Sequence, residues 1–322
     1  MKVRFLVASM MLALVALACG NTPKKSEAMA TTPLVEEATL PEGAIPFSYD
    51  RHLLFDVMIR DSVKARMIFD AGSTNLVLDK AFYDEKFAAS GTLRRSMVQG
   101  AGNSVEASWI DMSGWSYQVG AHKMQEQVAL VLELRKIVGD KADGMFGMEF
   151  MKGRRVEFNY HEGYIHILPD DFPTDGYIKI KCKWLDNSKV RMLVPMAVEV
   201  AEGVVVSGDY MIDTGFPGSV ELCSHVAIGS ALSSAEKRTH KVGGVGGSSE
   251  EYLFTAPRIE IAGFELNNVA SSQSANTGGA MADARYEGIV GNALLEQFDV
   301  VFDFAACELW LKPNKNFNTE KQ

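Results

Sequence analysis

Four short patterns occur twice along this chain, in one order and almost one register. MIFDAGS at 67–73 returns as YMIDTGF at 210–216, and VQGAGN at 98–103 returns as VGGVGG at 242–247. DGMFGMEFM at 143–151 returns as EGIVGNALL at 287–295, and VEFNYHEGYIHILP at 156–169 as VVFDFAACELWLKP at 300–313. The offset is 143 residues for the first pair and 144 for the rest, a change that Pro217-Gly218 accommodates by enlarging the loop after Asp213. Self-similarity at one long period constrains a fold more tightly than any local signal, because two stretches must then fold alike and pack as equivalents. The halves run from about 45–172 and 176–316, joined near Pro173-Thr174-Asp175-Gly176, which sets two lobes at 45–172 and 173–322.

Within each half the short apolar runs alternate and glycines punctuate them, with no long stretch of helical period. Leu53, Phe55, Val57 and Ile59 alternate, the chain turns at Arg60-Asp61-Ser62, and Val63, Ala65, Met67 and Phe69 alternate back toward Asp70. That is a hairpin with one buried face. Met196, Val198 and Val200 begin the same hairpin in the second half. Short helices are expected at Met148–Gly153 and Asn292–Phe298, each followed by a strand. The fold class is all-β.

The repeat changes the meaning of one residue. A lone aspartate on a glycine turn at a strand end is ordinarily a surface turn. Asp70 and Asp213 occupy the same place in two equivalent halves, so packing about a pseudo-twofold axis brings them together. Two adjacent carboxylates cannot both ionise and so share a proton. The ionised member takes a proton from a water between them, and the protonated member donates to a substrate carbonyl oxygen. Such a pair hydrolyses an amide with no metal and no cofactor.

The flanking residues suit that task. Gly72 and Gly215 allow positive φ and close backbone approach, which aims amides at the carboxylates. Thr214 can lend its hydroxyl across the axis, and Ser73 holds the corresponding turn in the first half. Gly147 and Gly291 follow the apolar pairs Met145-Phe146 and Ile289-Val290, where a strand packed behind the active loop needs a residue without a side chain. Gly100 and Gly102 in one half, Gly244 and Gly246 in the other, mark hairpin tips that close over an extended peptide. Phe158, Tyr160, Phe302 and Phe304 read as core. Cys223 reads as a core thiol.

At these residues the chain resembles the aspartic peptidases of the pepsin and retropepsin type, in which an apolar-apolar-Asp-Thr/Ser-Gly turn, a flap and an apolar-apolar-Gly segment follow in order. IDTG at 212–215 is similar to that turn, and VGGVGG and GIVGNALL resemble the retropepsin flap and the segment after it. The resemblance covers nearly all of the chain beyond the leader. It implies two six-stranded lobes with a peptide-binding cleft between them, Asp70 and Asp213 as the catalytic pair, and no cofactor. The chain departs from the pattern at Ala71, where the family carries a hydroxyl that knits the two loops, and at Phe216-Pro217, where a small residue is usual. Neither flap carries the tyrosine of pepsins; Trp109 and Tyr252 are the nearest aromatics. These departures keep open a second reading, a peptide-binding protein that retains the cleft without cutting.

Ahead of the repeat, Lys2 and Arg4 precede an apolar run from Phe5 to Leu17 that is broken only by Ser9 and is short for a membrane span. Ala18-Cys19-Gly20-Asn21 resembles the lipobox of bacterial lipoproteins, with Ala16 where a larger apolar residue is usual. The resemblance implies a signal peptide at 1–18, a lipidated Cys19, a tether over 19–44 rich in Ser, Thr, Pro, Lys and Glu, and a place in a bacterial cell envelope, membrane-anchored. A plain secretory leader is the simpler alternative. The net charge of −9, with basic residues scattered, gives no footprint for nucleic acid. Cys182, Cys223 and Cys307 permit one disulfide and a free thiol, or three buried thiols. With no C-x-x-C and no H-E-x-x-H, no metal site is expected. Two lobes in one chain supply the symmetry that a retropepsin obtains by dimerising, so a monomer is expected.

Overall fold

The computed structural model describes residues 40–88, 93–99, 104–233, 236–244 and 247–317. The leader, Cys19 and most of the tether lie outside the described residues.

Each half builds the same interlocked set of strands. In the first, Leu53–Ile59 pairs antiparallel with Val63–Phe69 through a turn in which Arg60 and Asp61 take φ of 51° and 59°. Two successive left-handed residues match the twist of a tight hairpin. Val63–Phe69 then pairs in parallel with Gly144–Phe146, which is antiparallel to Leu76–Asp79, itself parallel to Val128–Leu132. In the second half, Met192–Ala201 and Val204–Ile212 form the hairpin. Val204–Ile212 runs parallel to Gly288–Val290, which is antiparallel to Val220–Leu222, itself parallel to Phe264–Ser274. The pattern of neighbours and directions is repeated, so the sequence repeat is a structural one. The expected helices are a 3-10 turn at Met148–Met151 and a single α-turn at Asn292–Leu295, shorter than their sequence spans.

Among the described residues the first-half sheet has ten strands and the second-half sheet eight, rather than six each. A third, six-stranded sheet belongs to both halves: the closing hairpins of the two repeats meet where Arg155–Asn159 pairs antiparallel with Phe298–Asp303. Its apolar face carries an aromatic stack. Phe158 meets Phe302 at 5.1 Å between ring centroids and Phe69 at 5.2 Å, and Phe69 meets Phe146 at 5.3 Å. Phe69 is the residue before Asp70, so this core supports the Asp70 turn from beneath. Tyr160 and Phe304 are buried in the same core. Cys182, Cys223 and Cys307 are three free, buried thiols. Among the described residues no helix is long and apolar enough to cross a membrane.

Candidate active site

Asp70 and Asp213 leave the ends of Val63–Phe69 and Val204–Ile212 in equivalent ways. The Asp70 N–H donates to the Phe146 carbonyl, and the Asp213 N–H to the Val290 carbonyl, both at 2.9 Å. Each chain then turns back on itself, with Ser73 N–H on the Asp70 carbonyl and Phe216 N–H on the Asp213 carbonyl, both at 3.1 Å. Inside each turn a glycine amide holds the carboxylate: Gly72 N–H donates to Asp70 Oδ1 at 2.8 Å and Gly215 N–H to Asp213 Oδ1 at 2.9 Å. The two carboxyl groups lie within hydrogen-bonding reach of each other.

The glycines face the opposite carboxylates. A Cβ on Gly215 would stand 2.6 Å from Asp70 Cγ, and one on Gly72 would stand 2.9 Å from Asp213 Cγ. Positive φ, expected at both, is found at neither. What excludes a side chain here is the approach of the other loop. The same holds behind the loops, where a Cβ on Gly147 would meet the Ser73 carbonyl oxygen at 2.0 Å and one on Gly291 the Phe216 carbonyl oxygen at 2.4 Å.

The loops are knitted on one side only. Thr214 Oγ1 accepts the Ala71 N–H at 2.9 Å and donates to the Phe69 carbonyl at 3.0 Å, while Ala71 has no hydroxyl to return the pair. Ser73 donates its hydroxyl to the Asn75 carbonyl at 3.0 Å, within its own turn. Asn292, buried and not singled out by the sequence, ties the second loop to the rest of the molecule. Its Nδ2 donates to the Thr214 carbonyl at 2.6 Å and the Arg51 carbonyl at 2.9 Å, and its Oδ1 accepts the Tyr160 hydroxyl at 2.8 Å. The first repeat has Met148 at that place, and this break in the repeat was the available signal.

Burial raises both aspartates. For Asp70, burial is opposed by hydrogen bonds led by the Gly72 amide. Asp213 is pushed well above the usual carboxylate range, by burial first and by the charge of Asp70 second. The pair therefore keeps one proton where separate carboxylates have lost both. Both residues stand half-buried at the floor of a cleft of about 1510 Å3 whose walls come from both halves. Trp109 and Phe216 reach this cleft. His52 also lines it, in contact with Lys141 Nζ at 2.9 Å; burial first, and Lys141 second, hold its ring below the usual histidine range.

The hairpins that carry the glycine tips are present, with Gln99 paired to Ser104 and Gly244 to Gly247. Gly244 ends its strand, whereas Gly100, Gly102 and Gly246 lie outside the described residues. Among the described residues no cluster of His, Cys, Asp and Glu is arranged to hold a metal ion.

Residues 55–150 match a family model described as aspartyl protease. The crystal structure of an aspartic proteinase from Irpex lacteus is similar to this chain with a TM-score of 0.54 at 12% sequence identity, covering 87% of this chain and 99% of that one. No curated protein matches the sequence. At that identity the likeness establishes the architecture: an all-β, bilobal fold of the aspartic proteinase type.

Proposed function

We propose that the chain is an aspartic endopeptidase that hydrolyses peptide bonds with a water held between Asp70 and Asp213. The observation that carries this reading is the pairing of two carboxyl groups, each fixed by its own glycine amide, at the floor of a cleft shared by two equivalent lobes. A volume of about 1510 Å3 exceeds the roughly 300–1,000 Å3 of small-molecule pockets and suits an extended chain. In the reaction the ionised carboxylate removes a proton from water as its oxygen attacks the amide carbon. The protonated carboxyl gives its proton to the carbonyl oxygen. The proton taken from water then passes to the amide nitrogen as the C–N bond breaks, and the hydroxyl formed from the carbonyl oxygen returns its proton to the other carboxylate, which restores the pair and leaves a carboxylic acid.

The test is Asp213→Asn, which keeps the shape and removes the acid. Cleavage of a peptide library by the wild type, lost in this variant and blocked by a statine-type mimic, is the expected result. Persisting cleavage in Asp213→Asn overturns the assignment.

Ala71 favours a second reading, a protein of the same fold that holds peptides without cutting them, since one half of the hydrogen bonding between the loops is missing. Peptides that bind in the cleft and stay intact across the pH range would establish it.

The leader pattern supports attachment to a bacterial envelope membrane through lipidated Cys19. Cys19→Ser is then expected to move the protein from the membrane fraction to the soluble one; unchanged membrane association would refute lipid anchoring at that residue.

A further inference from the structure

The two walls of the cleft descend from one repeat, yet they present different chemistry. In the first half, Leu130 is paired with Val77 on one side and Trp109 on the other. Val77 packs with Ile68, Leu132 and Met145, and all four reach the cleft. In the second half the same ladder position is held by Ser272, paired with Glu221 on one side and Leu253 on the other. Met211 and Ile289 stand where Ile68 and Met145 stand in the repeat, but Glu221 takes the place of Val77 and Glu251 that of the buried Ala107. Both glutamates line the cleft.

A carboxylate on a short strand between two fully buried residues, Val220 and Leu222, is costly without a partner of opposite charge. Among the described residues no cation pairs with Glu221. Ser274 hydrogen-bonds to it and Glu251 repels it. Arg191, which also reaches the cleft, is taken by Asp186 at 2.7 Å, Arg285 is taken by Asp283, and Arg238 stands across the strand pair from Glu251. Burial first, and Glu251 second, push Glu221 up to about 8. The wall thus presents an acid for which the described residues supply no paired counter-charge, on the surface against which substrate lies.

We propose that this second-half wall is a subsite for a lysine or arginine side chain, bound through Glu221 with Glu251 beside it, while the equivalent first-half hollow takes an apolar side chain. The inference rests on the peptidase reading above. With a pseudo-twofold axis at the scissile bond, equivalent hollows receive residues equally far from that bond on opposite sides. The favoured peptide carries an apolar residue on one side and a basic one at the matching place on the other. An entering cation forms a charge-assisted hydrogen bond with Glu221 in a site that peptide binding shields from water. The chain's net charge of −9 also favours the approach of basic peptides.

The experiment is equilibrium binding at neutral pH of hydroxyethylene peptides, in which the scissile amide is replaced by a group that cannot be cut. Lysine is placed one or two residues from the isostere, on either side, with norleucine at the matching place opposite; controls carry norleucine at both. One lysine peptide is expected to bind about tenfold or more tighter than its control. Glu221→Gln, and Glu221→Val, which installs the first-half residue, are expected to reduce that advantage to about twofold or less while still binding the control. If no lysine peptide outbinds its control, or if the advantage survives in both variants, the subsite is refuted. The readout is affinity, so it separates from the peptidase reading: unchanged cleavage in Asp213→Asn overturns the dyad but leaves these affinities to decide the subsite.

Discussion

Thr214 holds Ala71 across the axis between the lobes, and Ala71 does not hold Thr214. The threonine hydroxyl uses both its capacities, accepting the Ala71 N–H and donating to the Phe69 carbonyl. All three groups are buried, so the bonds form where water cannot replace them.

Thr214→Val keeps the shape and removes the hydroxyl, leaving a buried donor and a buried acceptor unmet. It should lower stability by about 2 kcal/mol. Ala71→Thr should restore the missing half and raise stability by about 1 kcal/mol. Urea denaturation of the two single variants measures both effects. A neutral Thr214→Val would mean that the loops are held by packing alone.

Gly215→Ala tests why the active turns are glycine. The added Cβ would press on Asp70 Cγ at 2.6 Å, so the carboxylate must move. Since φ is not positive there, the backbone itself tolerates alanine. The expected outcome is a folded protein whose kcat falls by about a hundredfold, the usual consequence of a misplacement near 1 Å. Circular dichroism and kinetics together decide it; full activity would show that the dyad has slack.

Asn292→Ala removes the side chain that joins Thr214, Arg51 and Tyr160. Two buried polar groups, the Thr214 carbonyl and the Tyr160 hydroxyl, and the part-buried Arg51 carbonyl lose a partner at once, and a loss of about 3 kcal/mol is expected, with Tyr160→Phe costing about 1 kcal/mol. Thermal melts of the two variants check the ranking.

Stability should depend on pH through Glu221. A carboxyl raised on folding holds a proton that the unfolded chain has released, so its contribution is present below the unfolded value and is lost as pH rises through the folded one. For Glu221 that window runs from 4.5 to about 8. Glu221→Gln cannot ionise, so its stability relative to wild type should grow across the window. Denaturant midpoints that stay parallel would show that Glu221 ionises freely.

The dyad should set the pH range of turnover. Burial and mutual repulsion keep one proton on the Asp70–Asp213 pair above the usual carboxylate range, so activity should extend beyond the pH at which an ordinary pair of carboxyls would have ionised. A kcat/KM bell centred below about pH 4 would contradict this.

Much of the local structure was legible in the sequence because its cause is local. Alternation from Leu53 to Phe69 has period two, and a hairpin with a buried face is what such a pattern makes. Asp70 and Asp213 were legible for another reason: repetition turned an unremarkable turn residue into one of two equivalents. The glycines were read at the right places with an incomplete reason, since nothing in a single strand shows that the opposing carboxylate lies against Gly72 and Gly215.

The amino-acid sequence by itself determined the duplication, the β character, the hairpins and the identity of the two acids, because periodicity and self-similarity are written along the chain. Tertiary structure alone decided that Arg155–Asn159 pairs with Phe298–Asp303, that Asn292 binds Thr214, and that Glu221 lines the cleft beside Glu251 with no cation paired to it among the described residues. The physical reason is that partner choice between distant strands, and the burial that shifts a carboxyl, depend on which surfaces meet after the halves have packed.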